Sequence, residues 1–192
     1  MRICVYTGSR PGSRPEYHQA ARSFGTLLAE RGIGLVYGGG HLGLMGVIAD
    51  AALAAGGEVV GVIPQKLVEW EVAHSGLTEL HVVHSMHERK QMMADLSDAF
   101  VALPGGIGTM EELFEVWAWL HLGYHQKPCA LLDVAGFYDP LIAFLDGMVK
   151  EGFLKTGTRE MLLTDTDGAR LLERLQAFRA PATLPILERD EL

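Results

Sequence analysis

The pattern that most constrains the fold is a regular alternation of short apolar runs with longer stretches of helical periodicity. The apolar runs are partly β-branched and mostly lack polar alternation, which is typical of strands covered on both faces. Strands that alternate with helices predict a parallel sheet with right-handed crossovers. We therefore expect an α/β fold, a doubly wound parallel sheet with helices on both faces. The predicted strands span residues 3–6, 34–37, 59–63, 80–83, 100–103, 130–132 and 161–163.

The stretches between these runs carry the signals of helix ends. Pro15 suits the first turn of a helix, and Gly32 lies where that helix would stop. Gly56 and Gly57 follow the next helical stretch in the same way. The predicted helices span residues 15–30, 42–55, 86–97, 109–122, 138–151 and 167–178.

The length of 192 residues suits one domain with one sizeable core. No linker, internal repeat or shift in composition divides the sequence. We expect a single domain over residues 1–180 and an extended surface tail over residues 181–192, which contains Pro181 and Pro185.

Composition and charge exclude several classes of partner. The formal net charge of −8 argues against general binding to nucleic acid, which needs a basic face. No apolar run approaches the roughly 20 residues that cross a bilayer, so no membrane partner is expected. The apolar stretch after Arg2 is short and turns at Gly8, which indicates a first strand and not a secretory signal. Cys4 and Cys129 lie inside apolar runs, as expected for buried thiols in a reducing cytoplasm.

Glycine-rich turns follow three of the predicted strands: 7–9, 38–40 and 104–109. In open α/β sheets, ligands bind outside the carboxyl ends of the strands. Glycines let backbone N–H groups approach an anion, and a helix that starts directly afterwards adds its free N–H groups and its dipole. The third turn leads into a helix predicted to begin near Thr109, so we predict that it binds a phosphate. Additional candidate contacts are Gly8, Ser9, Gly39 and Gly40.

Two familiar nucleotide-binding patterns do not fit this chain. A triphosphate loop ends in Gly-Lys-Ser/Thr, whereas Gly108 is followed by Thr109 and Met110. Residues 38–43 fit GxGxxG, yet they follow the second strand, and no acidic residue lies at the usual distance beyond them. The spacing of Thr109 and Glu112 taken alone favours a capping box, in which both side chains only close the start of a helix.

Histidines and tryptophans give weaker signals. His81, His84 and His87 straddle a strand end and a helix start, and no cysteine or aspartate joins them, so no metal site is expected there. Trp117 and Trp119 lie among apolar residues on the helix after the phosphate turn, which favours the core or a subunit interface over stacking on a base.

Two stretches taken together are far more specific than either alone. Residues 104–112 follow the pattern PGGxGTxxE, and residues 86–90 are Met-His-Glu-Arg-Lys. Tyr-Gly-Gly-Gly at 37–40, Gly-Leu-Met-Gly at 43–46 and Val-Ile-Pro at 62–64 accompany them. With these motifs the chain resembles the LOG ("lonely guy") family over nearly its whole length, to about Leu163. Members of that family are cytokinin riboside 5′-monophosphate phosphoribohydrolases, often labelled lysine decarboxylases.

The resemblance implies a Rossmann-like fold, a homodimer, and hydrolysis of AMP-type nucleotides to free base and ribose 5-phosphate without a cofactor. It implies that Arg89 and Glu112 form the catalytic pair. Ala118 departs from the family, because plant members have a threonine there that contacts substrate. The substrate-contacting positions implied by the resemblance are Glu71, Arg89, Lys90, Gly105, Gly106, Ile107, Gly108, Thr109, Met110, Glu111 and Glu112.

The chemistry implied by this resemblance has a simple physical form. Cleavage passes through an oxocarbenium-like state, which a nearby carboxylate stabilises while it takes a proton from the attacking water. Glu112 suits this role if the phosphate sits on residues 105–109. Arg89 keeps its charge, so it would anchor substrate and stabilise charge. Lys90 would supply a second positive charge or else be a solvated helix lysine, and no residue is identified as the acid for the leaving base.

Two other functions stay open at this point. A nucleotide or cofactor carrier without chemistry, as in the similar folds of molybdenum-cofactor carriers, would use the same phosphate loop. A pyridoxal phosphate-dependent decarboxylase would need a lysine that forms a Schiff base, and only Lys90 lies near the expected site.

Overall fold

The computed structural model describes residues 1–69 and 73–180 of the chain. The predicted tail over residues 181–192 lies outside the described residues. The described part forms seven strands: β1 Arg2–Tyr6, β2 Gly34–Tyr37, β3 Val59–Pro64, β4 Glu79–Val83, β5 Ala99–Ala102, β6 Cys129–Leu132 and β7 Leu162–Asp165. All seven pair in parallel in one sheet, in the order β4-β3-β2-β1-β5-β6-β7. The doubly wound parallel sheet predicted from the alternation of apolar runs is confirmed.

The helices fall between the strands, as the sequence pattern predicted. They are α1 Pro15–Glu30, α2 Gly43–Ala54, α3 Gln65–Glu69, α4 Met86–Asp95, α5 Ile107–His121, α6 Asp139–Lys150, α7 Thr156–Glu160 and α8 Gly168–Ala177. The six predicted helices are confirmed, with ends that shift by up to two residues. The short helices α3 and α7 were not predicted. No helix in the described part of the chain is long and apolar enough to span a bilayer.

The core consists of two apolar layers, one on each face of the sheet. Ile3 and Val5 of β1 point into the layer that contains buried residues of α1, α2 and α8. Cys4 and Tyr6, the alternate residues of the same strand, point into the layer with α4, α5 and α6. Because both faces are covered, the strands are apolar at successive positions, which explains the missing alternation in the sequence.

The order in which strands are added to the sheet changes direction at β1. The chain moves outward from β1 through β2, β3 and β4, then returns to the other side of β1 with β5 and continues through β6 and β7. Connections that leave neighbouring strands in opposite directions open a crevice at the carboxyl ends of those strands. The loops after β1 and β5 are joined there, because Gly8 N and Thr7 Oγ1 both donate hydrogen bonds to Pro104 O, at 3.2 and 3.0 Å.

Candidate active site

A cleft of about 640 Å³ opens at this crevice. The loop after β1, the first turn of α2 and the turn between β5 and α5 contribute its walls, and Arg89 and Glu112 line it together. The structure thus brings most of the predicted site residues to one place. Those that line the cleft are Gly8, Ser9, Arg89, Gly105, Gly106, Ile107, Gly108, Thr109 and Glu112.

The N-terminus of α5 opens into the cleft without a side-chain cap. Its N-cap is Gly106, in an extended conformation, so the helix begins at Ile107, two residues before the predicted start. Thr109 is therefore inside the first turn and cannot cap the helix. The capping-box interpretation of Thr109 and Glu112 is wrong. The leading N–H groups of a helix have no partner within the helix and carry the positive end of its dipole, so this turn is suited to an anion.

Arg89 is held by main-chain atoms from two strands. It lies in the first half of α4, which Ser85 caps by accepting a hydrogen bond from Glu88 N at 3.1 Å. The Arg89 guanidinium donates from Nε to Val62 O at 3.1 Å and from Nη2 to Gly38 O at 3.3 Å. Only 8% of the residue is exposed. A side chain at Gly38 would collide with Nη2, so this glycine is needed to let the guanidinium in.

Glu112 faces the remaining nitrogen of the same guanidinium, Nη1. Arg89 Nη1 and Glu112 Oε1 are 3.5 Å apart, and the two side chains are 10% and 11% exposed. Burial raises the pKa of Glu112 above its usual value, although the charge of Arg89 opposes the shift. A carboxylate that is largely removed from water interacts strongly with positive charge that develops beside it.

Lys90 takes a different position from its neighbour Arg89. Its ammonium pairs with Glu111 at 2.5 Å and with Glu115 at 3.0 Å, and its side chain is 11% exposed. It therefore ties α4 to α5 and is not a solvated lysine. Lys90 and Glu111 are absent from the lining of the cleft.

The remaining predicted contacts lie away from the cleft or outside the described residues. Met110 packs into the apolar layer under α5. Gly39 O accepts a hydrogen bond from His74 N at 2.9 Å, and Gly40 forms an isolated antiparallel bridge with Ala73. Glu71 lies outside the described residues. Their assignment as substrate contacts stays a prediction, as does that of Lys90 and Glu111.

The cleft also contains residues that the sequence analysis did not select. Arg10 follows the turn at 7–9, and its place after the first strand was the available signal. Met45 belongs to the Gly-Leu-Met-Gly run at 43–46. Phe137 follows β6, and no pattern in the sequence connects it to the phosphate turn.

Among the described residues, neither a histidine nor a lysine lines the cleft. Within residues 1–69 and 73–180 there is no group of three or more His, Cys, Asp or Glu side chains that could hold a metal. His81 instead pairs with Glu79 at 3.1 Å. No lysine lines the described walls of the cleft, so the residues found there do not fit a Schiff-base decarboxylase. Trp117 is in the core, where its Nε1 donates a hydrogen bond to Thr158 O at 3.2 Å.

Comparisons with known proteins agree with the motifs around this cleft. Residues 45–175 match the family model described as "Possible lysine decarboxylase". Over 182 residues the chain is 48% identical to the cytokinin riboside 5′-monophosphate phosphoribohydrolase of Rhodococcoides fascians, covering 93% of this chain and 89% of the relative. The chain belongs to the LOG family. The LOG protein of Oryza sativa subsp. japonica is also 48% identical, over 92% of this chain and 73% of the relative.

Solved structures place this LOG-family chain in the expected fold. The molybdenum cofactor binding protein from Rippkaea orientalis superimposes with a TM-score of 0.70 at 21% identity, covering 92% of this chain and 95% of that one. The molybdenum cofactor carrier protein from Chlamydomonas reinhardtii gives the same TM-score and identity, with coverage of 92% and 98%. At this level of identity the likeness shows the Rossmann-like fold alone.

Proposed function

We propose that this protein hydrolyses the N-glycosidic bond of adenine-type nucleoside 5′-monophosphates, releasing the free base and ribose 5-phosphate. The substrate would be AMP, a cytokinin riboside 5′-monophosphate, or both. The observation that carries the proposal is the buried Arg89–Glu112 pair in the same cleft as the uncapped N-terminus of α5. Relatives at 48% identity bear the name of this activity.

In the proposed mechanism the helix binds the phosphate and the carboxylate acts at the sugar. The 5′-phosphate accepts hydrogen bonds from the N–H groups of residues 106–109, and Glu112, about one turn further along α5, faces the anomeric carbon. As the bond from that carbon to the base breaks, positive charge develops on the ribose and Glu112 stabilises it. Water then forms the new bond to the carbon and gives its proton to Glu112, while the departing base keeps the electron pair of the broken bond and takes up a proton from solvent.

In this mechanism Arg89 controls the protonation state of Glu112. Two of its nitrogens already donate to main-chain carbonyls, and Nη1 faces the carboxylate. Its charge opposes protonation of a carboxyl whose burial favours protonation. We therefore assign to Arg89 the tasks of keeping Glu112 ionised and of holding it in place beside the sugar.

The direct test is the release of free base from nucleotides. The protein is incubated with AMP, with N6-isopentenyl-AMP and with the other nucleoside monophosphates, and the products are separated by chromatography. Plain nucleosides serve as controls. We expect adenine-type base from the monophosphates, and we expect Arg89→Ala to lose most of this turnover. Tight binding of AMP without any base release would instead identify the non-catalytic carrier.

We also propose that the protein is a homodimer, as the LOG family implies. The outer side of α5 presents Phe114, which is 37% exposed, beside the exposed Ala118, and Leu122 follows at 43%. Ala118 does not line the cleft of its own chain. Light scattering would give the mass in solution, and Phe114→Glu should dissociate a dimer that uses this face.

We further propose that the protein works in the cytoplasm. The thiols of Cys4 and Cys129 are buried and free, which supports a reducing compartment.

A further inference from the structure

The basic side chains around the cleft differ in whether their charge is already paired with other groups of the protein. The Arg89 guanidinium donates to Val62 O and Gly38 O and faces Glu112. The Lys90 ammonium is taken by two carboxylates and does not line the cleft. A phosphate dianion that entered this cleft would thus find little unused charge on either residue of the Arg-Lys motif.

Arg10 is the exception among the described lining residues. It lines the cleft, it is exposed, and no described acidic side chain pairs with it. A guanidinium offers five N–H donors in a planar fork that matches two phosphate oxygens. Its charge is therefore available to an anionic ligand.

The backbone that carries Arg10 is fixed from two sides. Gly8 N donates to Pro104 O on the phosphate turn, at 3.2 Å. Gly8 O accepts from Leu44 N and Met45 N at the start of α2, at 2.9 and 3.3 Å. A side chain at Gly43 would strike the main chain of Ser9 and Arg10, so the loop passes directly over that glycine. The main chain just before Arg10 is therefore held by hydrogen bonds to both neighbouring elements.

The same loop touches the turn that we expect to bind phosphate. A Cβ built on Gly8 would lie 3.4 Å from Gly105 Cα, so the two backbones are adjacent. The uncapped start of α5 and Arg10 thus line neighbouring parts of one cleft. We propose that Arg10, a residue outside the LOG motifs, is the cation that binds the 5′-phosphate, together with the first turn of α5. This assignment rests on the proposed function for the identity of the nucleotide.

The kinetic test compares a nucleotide with its nucleoside. Arg10→Ala should lower kcat/KM for AMP by about 10- to 100-fold, the size expected for a lost charge-assisted contact. Any residual release of adenine from adenosine, which lacks the phosphate, should be the same in Arg10→Ala as in the wild-type protein. Arg31→Ala is the matched control, because Arg31 is an exposed arginine between α1 and the amino end of β2, away from the carboxyl ends of the strands where the cleft opens. Unchanged AMP kinetics in Arg10→Ala would overturn the assignment.

A binding measurement separates this assignment from the proposed reaction. Calorimetry with ribose 5-phosphate and with inorganic phosphate as probes should show at least a 10-fold weaker affinity in Arg10→Ala than in Arg31→Ala. If the wild-type protein releases no base from AMP and the probes still depend on Arg10, the proposed function fails and the phosphate site stands. If AMP is hydrolysed and neither probe depends on Arg10, the phosphate site fails alone.

Discussion

Replacing Gly38 with alanine tests whether the chemistry depends on where the Arg89 guanidinium is held. A Cβ built on Gly38 lies 2.0 Å from Arg89 Nη2, whereas ordinary contacts begin near 3.4 Å. Gly38 belongs to the main chain at the end of β2, which is held in the packed sheet and stays in place. The guanidinium must therefore move away by roughly 1.4 Å. The φ of Gly38 lies outside the left-handed region, so alanine adds no backbone strain of its own.

The displacement predicts a large loss of turnover with a smaller loss of stability. A misplacement of about 1 Å in a catalytic arrangement costs on the order of 100-fold in rate. We expect kcat/KM for AMP to fall by about 100-fold, measured as chromatographic release of adenine. The free energy of unfolding should drop by about 1–3 kcal/mol, as for other overpacked sites.

Two controls make this prediction specific. Gly147→Ala is the matched substitution, because a Cβ at Gly147 in α6 meets no atom within 4 Å, and its kinetics should be those of the wild type. In the double variant Gly38→Ala/Arg89→Ala the new methyl group has room, so this protein should be as stable as Arg89→Ala alone. Wild-type kcat/KM in a natively folded Gly38→Ala protein would refute the idea that the position of the guanidinium matters.

The remaining predictions concern the carboxylate of Glu112 and an ion cluster at the end of β7. Glu112→Gln should keep the fold and the affinity for AMP but lower kcat by about 10²- to 10⁴-fold in single-turnover assays, and near-normal turnover would leave Glu112 a structural role only. Because burial raises the pKa of Glu112 and the reaction needs the ionised form, kcat/KM should decline as the pH falls through a pKa above the usual glutamate value, and a profile that stays flat down to that usual value would contradict this. Asp165 is bonded by Arg170 and Arg174, and the bonds from Arg170 hold the pKa of this carboxyl well below its usual range. The cluster therefore stabilises the fold above about pH 3.9, and this contribution is lost as the pH falls towards the lowered pKa. Asp165→Asn should cost about 1–2 kcal/mol in urea unfolding at pH 7, a figure reduced for the exposure of both arginines, and an equal cost at pH 2.5 would argue against the ionic explanation.

The sheet could be predicted because its strands leave a clear trace in the sequence. The run at 59–63 is apolar throughout because both of its faces are buried, and it corresponds to β3. Helices α3 and α7 escaped prediction, since five residues are too few to show a period. The start of α5 was misplaced because Thr109 and Glu112 fit a capping box by spacing, while the actual N-cap is a glycine that sequence rules rank no higher than its neighbours.

The site was predictable in its parts but not in its arrangement. The motifs selected Arg89 and Glu112, and the structure places them 3.5 Å apart. Nothing in the sequence connects Arg89 to carbonyls at positions 38 and 62, because those contacts depend on how the strands pair. The two carboxylates that hold Lys90 are four residues apart on α5, which is a visible signal for one helix face, yet that spacing does not identify the lysine that docks there.

The way Arg89 is anchored makes its position independent of the side chains that line the cleft from the connecting segments. Main-chain oxygens hold the guanidinium, and substitutions of side chains elsewhere do not remove them. Leu67 on the short helix α3 and Phe137 after β6 line the same cleft from connecting segments. Substitutions at Leu67 or Phe137 therefore leave in place the carbonyl groups that hold the guanidinium, and we expect the charged pair to keep its geometry in such variants.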